Sequence, residues 1–153
     1  MMKRICMVVI SLSLLLMLSG CRHTPNNITF MEGVGNIRVE DITKVTIRNG
    51  NENGELRETN NNKKITNLLN SLSDQTFTRD ADQSPRDGWS YYIDLYTANG
   101  SGWVRYTYNT GFNSYEGYKG KVIDGRYLAD DPEEVKSILE DFFNQLEAQP
   151  DQQ

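Results

Sequence analysis

Asp80-Ala81-Asp82-Gln83-Ser84 places side-chain oxygens at alternating positions, the opening of a loop that could wrap a calcium ion. Such a loop needs a glycine at its sixth position for the sharp turn and a bidentate glutamate at its twelfth. Pro85 and Tyr91 stand there instead, so the stretch reads as a solvated loop and no metal is expected. Asp94 and Glu116 are acids that could form a glycosidase-like pair, because two carboxylates at the right separation suffice for that chemistry. The hairpin register derived below sets Asp94 opposite Arg105, however, and a neighbouring guanidinium keeps a carboxylate ionised and unsuited to donating a proton. The single histidine, His23, lies close to the N-terminus in a polar stretch. With no second histidine and no free thiol beside it, there is no Ser-His-Asp triad, no Cys-His pair and no nitrogen- or sulfur-rich zinc site. The glycines mark turns and form no phosphate-cradling motif. No catalysis and no cofactor are expected.

The aromatic residues are distributed unevenly. Ten of the fifteen Phe, Trp and Tyr residues fall between Trp89 and Tyr118. Within this stretch, Tyr91 to Tyr108 alternates in a strand pattern around Asn99-Gly100, a dipeptide that accepts the positive φ of a two-residue type I′ turn. With that turn, Tyr91 pairs with Tyr108, Ile93 with Tyr106, and Leu95 with Val104 on one wholly apolar face. The other face pairs Tyr92 with Thr107, Asp94 with Arg105, and Tyr96 with Trp103, combining an ion pair with an aromatic pair. Tyr92, Tyr96, Trp103, Asp94 and Arg105 are thus the candidate partner-binding residues. Exposed Tyr and Trp beside charges are the composition of a protein-binding hot spot or of a sugar-stacking platform.

The N-terminus carries a different chemistry. Lys3 and Arg4 precede fourteen largely apolar residues, Ile5 to Leu18, a length that suits a signal-peptide core and is short of a membrane span. Leu18-Ser19-Gly20-Cys21 resembles the lipobox of bacterial lipoproteins. That resemblance implies a diacylglycerol thioether on Cys21 and cleavage before it. Residues 1–20 are then a removed signal peptide, and the protein sits on the extracytoplasmic face of the cell membrane. Cys6 leaves with the leader, so the 133-residue mature chain has no possible disulfide. Two acyl chains give stable anchoring where one is marginal.

The mature charge of −7 argues against binding nucleic acid and would repel an anionic membrane. Residues 21–35 read as a lipidated flexible tether with a reach of roughly 45 Å at ~3.3 Å per residue. Residues 36–147 read as one domain and 148–153 as a disordered tail. Ile42 to Arg48 is a β-branched strand, and Asn49 to Gly54 a turn into a returning strand at Glu55–Thr59. Ile65, Leu68, Leu69 and Leu72 form one helical stripe beginning near Asn61 or Asn62. A strand is expected near Phe77. Asp124-Gly125 is expected to turn a hairpin pairing Val122 with Tyr127 and Lys121 with Leu128. Asp131-Pro132-Glu133-Glu134 opens a final helix whose stripe is Val135, Ile138, Leu139, Phe142 and Leu146.

The expected fold is α+β: an antiparallel sheet of five to six strands, ordered β-β-α-β-β-β-β-α, with two helices on one face and the other face open. Lipobox leader, Ile-Thr-Lys-Val-Thr-Ile strand, small helix, tyrosine-rich hairpins and closing helix resemble the small YhfM-like lipoproteins of Gram-positive spore-formers. That layout implies the same architecture and location, with no activity attached. The expected function is a non-enzymatic, membrane-anchored lipoprotein that binds an envelope protein through its open sheet face. The alternative is a cell-wall glycan-binding or glycan-processing module using the same aromatics.

Overall fold

The computed structural model describes residues 24–84, 88–98, 102–118, 120–123 and 125–147. The leader, Cys21, His23, the Asn99-Gly100 dipeptide, Pro85, Asp124 and the 148–153 tail lie outside the described residues. The fold is α+β, with two antiparallel sheets. The larger has five strands in the order β3-β2-β5-β6-β7, formed by β2 (Ile42–Asn49), β3 (Glu55–Thr59), β5 (Tyr91–Thr97), β6 (Trp103–Thr107) and β7 (Gly111–Tyr115). The smaller has the order β1-β4-β8, from β1 (Asn27–Thr29), β4 (Thr76–Arg79) and β8 (Tyr127–Ala129).

The β5–β6 register is the one read from the sequence. Tyr92 faces Thr107, Ile93 faces Tyr106, Asp94 faces Arg105, Leu95 faces Val104 and Tyr96 faces Trp103. Ile93, Leu95, Val104 and Tyr106 are fully buried on the inner face, joined by Val45 and Ile47 of β2 and Phe112 of β7. Two helices cover part of this face. In α2 (Asn62–Ser73), Asn61 accepts from the backbone N–H of Lys63 and Lys64 at 3.0 and 3.2 Å, and the expected stripe Ile65, Leu68, Leu69 and Leu72 is buried. In α3 (Pro132–Asn144), Asp131 accepts from Glu134 N at 3.0 Å and proline occupies the first turn. The far end of α3 is tied to the sheet. Arg57 of β3 donates to the carbonyls of Phe143 and Leu146, and Lys64 donates to that of Gln145. Cations at these carbonyls also complement the helix dipole.

Two expectations are corrected. The stretch assigned to the tether is built into the fold from Asn27 onward. β1 pairs with β4, and the short helix α1 (Phe30–Gly33) follows, capped reciprocally by Thr29 and Glu32. Phe30 and Val34 are completely buried. The polar residues around them hid two core side chains, because a three-residue strand and a one-turn helix leave no periodicity to read. The second correction concerns the hairpin at Asp124-Gly125. Residues 127–129 do not return along 121–123; β8 pairs with β4, Phe77 facing Ala129 and Thr78 facing Leu128. This seats Tyr127 fully in the core with its hydroxyl on the Pro25 carbonyl at 2.6 Å, more burial than a two-stranded ribbon could give it.

The smaller sheet therefore shares the inner face with the helices. The junction is a four-ring cluster. Phe30 and Phe77 meet Tyr106 and Phe112 at centroid distances between 5.4 and 5.7 Å, mostly edge to face. Gly33 lies directly under the Phe112 ring, where any Cβ would collide with it.

Two predictions follow from the core. Phe30→Ala should destabilise the domain by roughly 3–5 kcal/mol in urea melts, the usual cost of removing a buried aromatic ring; a tether residue would show no change. The Tyr106 hydroxyl is buried with no partner among the described residues, and burial, with a smaller contribution from Tyr108, holds its proton far above the ordinary phenol range. Burial also raises Tyr91, Tyr96, Tyr108 and Tyr118. The folded state thus keeps phenolic protons that the unfolded chain releases above about pH 10, so this contribution is intact below that pH and lost above it. Urea midpoints should fall as pH rises past about 10. Tyr106→Phe should soften that fall and be neutral or stabilising at pH 7, since an unpaired buried hydroxyl costs about 1–3 kcal/mol.

Candidate functional site

The outer face of the larger sheet carries the five candidate residues, and no described helix packs across it. Cross-strand alignment sorts its side chains into rows. One row runs Lys44, Tyr96, Trp103, Tyr115 across β2, β5, β6 and β7; the next runs Thr46, Asp94, Arg105, Asn113. Arg48 and Tyr92 begin a third.

In the first row the rings stand side by side. Tyr96 stacks on Trp103 at 5.5 Å and 27°, and Trp103 stacks on Tyr115 at 5.4 Å and 12°. Lys44 Nζ closes the other end, 4.3 Å from the Tyr96 centroid. Both faces of the indole are consequently occupied by neighbours. Trp103 is half-buried, and its Nε1 finds no hydrogen-bond partner among the described residues. Tyr115, at the sheet edge, is 37% exposed.

In the second row Arg105 grips Asp94 in a fork, Nε to Oδ1 at 2.6 Å and Nη2 to Oδ2 at 2.8 Å. Asp94 is buried, and this hydrogen bond is the main reason the Arg105 pKa is raised. The guanidinium also lies 3.8 Å from the Tyr92 centroid and 5.1 Å from that of Tyr115, so it bridges the third row to the first. With both carboxylate oxygens taken, Asp94 positions Arg105 and is not an open acid for a pair with Glu116. Trp89, 41% exposed, packs edge-on against Tyr92 at 4.8 Å and extends the patch.

The structure thus brings Tyr92, Tyr96, Trp103, Asp94 and Arg105 together, and adds Tyr115, Lys44 and Trp89. Tyr115 was legible in principle. Asn109 has a φ of 59° and Gly111 one of 118°, so Asn109-Thr110-Gly111 is a turn that brings β7 back beside β6 and Tyr115 opposite Trp103. The end of β7 is fixed by a second tight turn, Glu116-Gly117, both left-handed, with Tyr118 N donating to Tyr115 O at 3.1 Å. Gly102 is pressed against the backbone of that turn so closely that a side chain would not fit.

The acidic loop at residues 80–84 has its own cation. Arg126, 7% exposed, is ion-paired to Asp80 at 3.1 Å and Asp82 at 3.9 Å, and donates to the Ser84 carbonyl. Asp80 and Asp82 also accept from the backbone two residues on, and Gln83 and Arg126 exchange backbone-to-side-chain bonds. The Arg126 guanidinium is thus a cation that these two carboxylates share. Among the described residues no group of three or more His, Cys, Asp or Glu side chains is arranged to hold a metal, and no helix is long and apolar enough to cross a membrane.

Fold and face define a small α+β domain with a ladder of aromatic side chains on a sheet face that no described helix covers. Residues 36–123 match the family model DUF5301, described as a domain of unknown function (DUF5300), and the chain belongs to this family. The matched span holds β2 to β7 and every residue of the aromatic face, while β1, α1, β8 and α3 lie outside it. No curated protein and no solved structure matches the chain.

Trp103 tests the face energetically. Its two stacking contacts, at about 0.5–1.5 kcal/mol each, predict a loss of roughly 1–3 kcal/mol for Trp103→Ala. Tyr106→Ala, on the packed face, should cost about 3–5 kcal/mol. Thermal or urea melts of the two variants measure the difference, and equal losses would make the indole a core residue.

Proposed function

We propose that the protein is a non-enzymatic lipoprotein of the cell membrane, held on the extracytoplasmic side by a diacylglyceryl Cys21, and that its outer sheet face binds another envelope protein. The resemblance of the layout to YhfM-like lipoproteins supports this location. The observation that carries the binding reading is the row Tyr96–Trp103–Tyr115 beside Arg105, a pre-stacked aromatic and guanidinium surface. Its residue types are those enriched at binding hot spots. Its side chains are already ordered by stacking and by the Asp94 fork, so little rotamer entropy remains to be lost on binding.

Ring orientation separates this from the glycan alternative. A sugar stacks on an open aromatic face, and both faces of Trp103 are taken. The rings present edges to solvent, which suits a broad partner surface. Tyr115, the most exposed ring of the row and the one at the sheet edge, is the position at which a glycan would stack.

Two experiments test the proposal. Cys21→Ala should abolish metabolic labelling with a fatty acid such as palmitate and leave the precursor uncleaved or release the protein from membranes; unchanged labelling rejects the anchor. In intact envelopes, photo-crosslinking from positions beside the ladder should join the protein to a discrete protein species, and Trp103→Ala with a preserved fold should lose the adduct. Competition by purified wall glycan, with Tyr115→Ala more damaging than Trp103→Ala, would favour the glycan module instead.

A further inference from the structure

The contacts of Pro25, Asn26 and Asn27 fix the end of the domain at which the described residues begin. Tyr127 Oη donates to the Pro25 carbonyl at 2.6 Å, Arg79 N donates to the Asn26 carbonyl at 2.7 Å, and Asn27 pairs with Thr78. From Pro25 onward the chain is held. Four residue steps separate Pro25 from Cys21, and at ~3.6 Å each they span at most about 14 Å. That is a fraction of the reach a tether through Gly35 would have had.

The strands show what lies at each end. Asn26 and Asn27 adjoin Arg79, and Asp80 N donates to Arg126 O at 3.0 Å. The neighbouring Gly125 carbonyl packs against Gly111, the first residue of β7. From Gly111 to Tyr115, β7 runs about 13 Å at ~3.3 Å per residue. Its far end carries the ladder, where Tyr118 folds over Gly102 and donates to the Val34 carbonyl at 3.2 Å. Val34 is in turn the end of the β1–α1 segment away from Asn27.

We propose that the domain rests on the headgroup layer of its own bilayer through the end formed by Pro25–Asn27, Arg79 and the 80–84 loop, with the Tyr96–Trp103–Tyr115 ladder at the opposite, membrane-distal end. The inference rests on lipidation of Cys21. The net charge of −7 opposes approach to an anionic surface, but the screening length at physiological salt is about 8 Å. At the proximal end two arginines, Arg79 and Arg126, face Asp80, Asp82 and Asp130, the last hydrogen-bonded to Thr78, so most of the charge there cancels. The short covalent link therefore holds an end of low net charge against the headgroups. A partner meets the ladder from the outside, unobstructed by lipid.

The test uses the full lipidated chain, purified from membranes and reconstituted in phosphatidylcholine–phosphatidylglycerol vesicles containing a headgroup quencher lipid. Once Cys21 is acylated the mature chain has no other thiol, so Ala81→Cys and Ser84→Cys place a fluorophore at the proximal end, and Asn113→Cys and Ser114→Cys place one near the ladder; all four positions are exposed. The proximal probes should lose most of their emission and the distal probes retain theirs. Using two positions per end keeps the comparison valid if one variant misfolds. Equal quenching at both ends, or stronger quenching near the ladder, overturns the orientation while leaving the anchor intact. A chain that fails to stay with the vesicles overturns the lipidation reading, and the orientation falls with it.

Discussion

The contact of Phe30 and Phe77 with Tyr106 and Phe112 joins two sheets that share no hydrogen-bonded strand. Without those rings the small sheet would keep only the flanking helices and a narrow contact with β7, and three strands of three or four residues are too short to be stable alone. The cluster also explains the small residue under it. Gly33 ends α1 at the Phe112 ring, so the chain can turn there and the ring can lie flat against its backbone. The described residues include no cysteine, so this packing does the joining that a disulfide provides in other small domains.

What was legible in the sequence follows the strength of local signals. The β5–β6 register was readable because a two-residue turn dipeptide sat between strands whose two faces differ in polarity, and a one-residue slip would have buried Asp94 and Arg105 on the apolar side. Helices α2 and α3 were readable from caps and stripes of adequate length. β1 and α1 were not, because elements of three and four residues are decided by the tertiary contacts of Phe30. The partner of β8 was not, since Asp-Gly chemistry promotes a turn but does not choose which strand receives Tyr127. Of the site, the five residues on β5 and β6 were legible together. Tyr115 was missed because its strand is announced by Asn109 and Gly111 and not by any apolar alternation.

Stacking changes what the aromatic face can do. Read as a list of residues, Tyr96, Trp103 and Tyr115 suggest three independent platforms. Arranged one per strand, they become a single object, each ring holding the next upright, with Lys44 at one end and the sheet edge at the other. Arg105 belongs to the same object through Tyr92 and Tyr115, and Asp94 fixes it from below. The family match spans the whole of this face, whereas β1, α1, β8 and α3 complete the opposite side of the domain.

Arg126 carries a consequence for the setting in which such a domain works. A loop closed by a bound divalent ion is only as well formed as the surrounding fluid allows: dilution, a chelator secreted by a competitor, or a shift in hardness of the water opens it. Here the positive charge that gathers Asp80 and Asp82 is a side chain of the same polypeptide, present in fixed proportion wherever the protein goes. The charge that gathers the loop is thereby supplied by the chain itself, with no ion to be recruited from the surroundings.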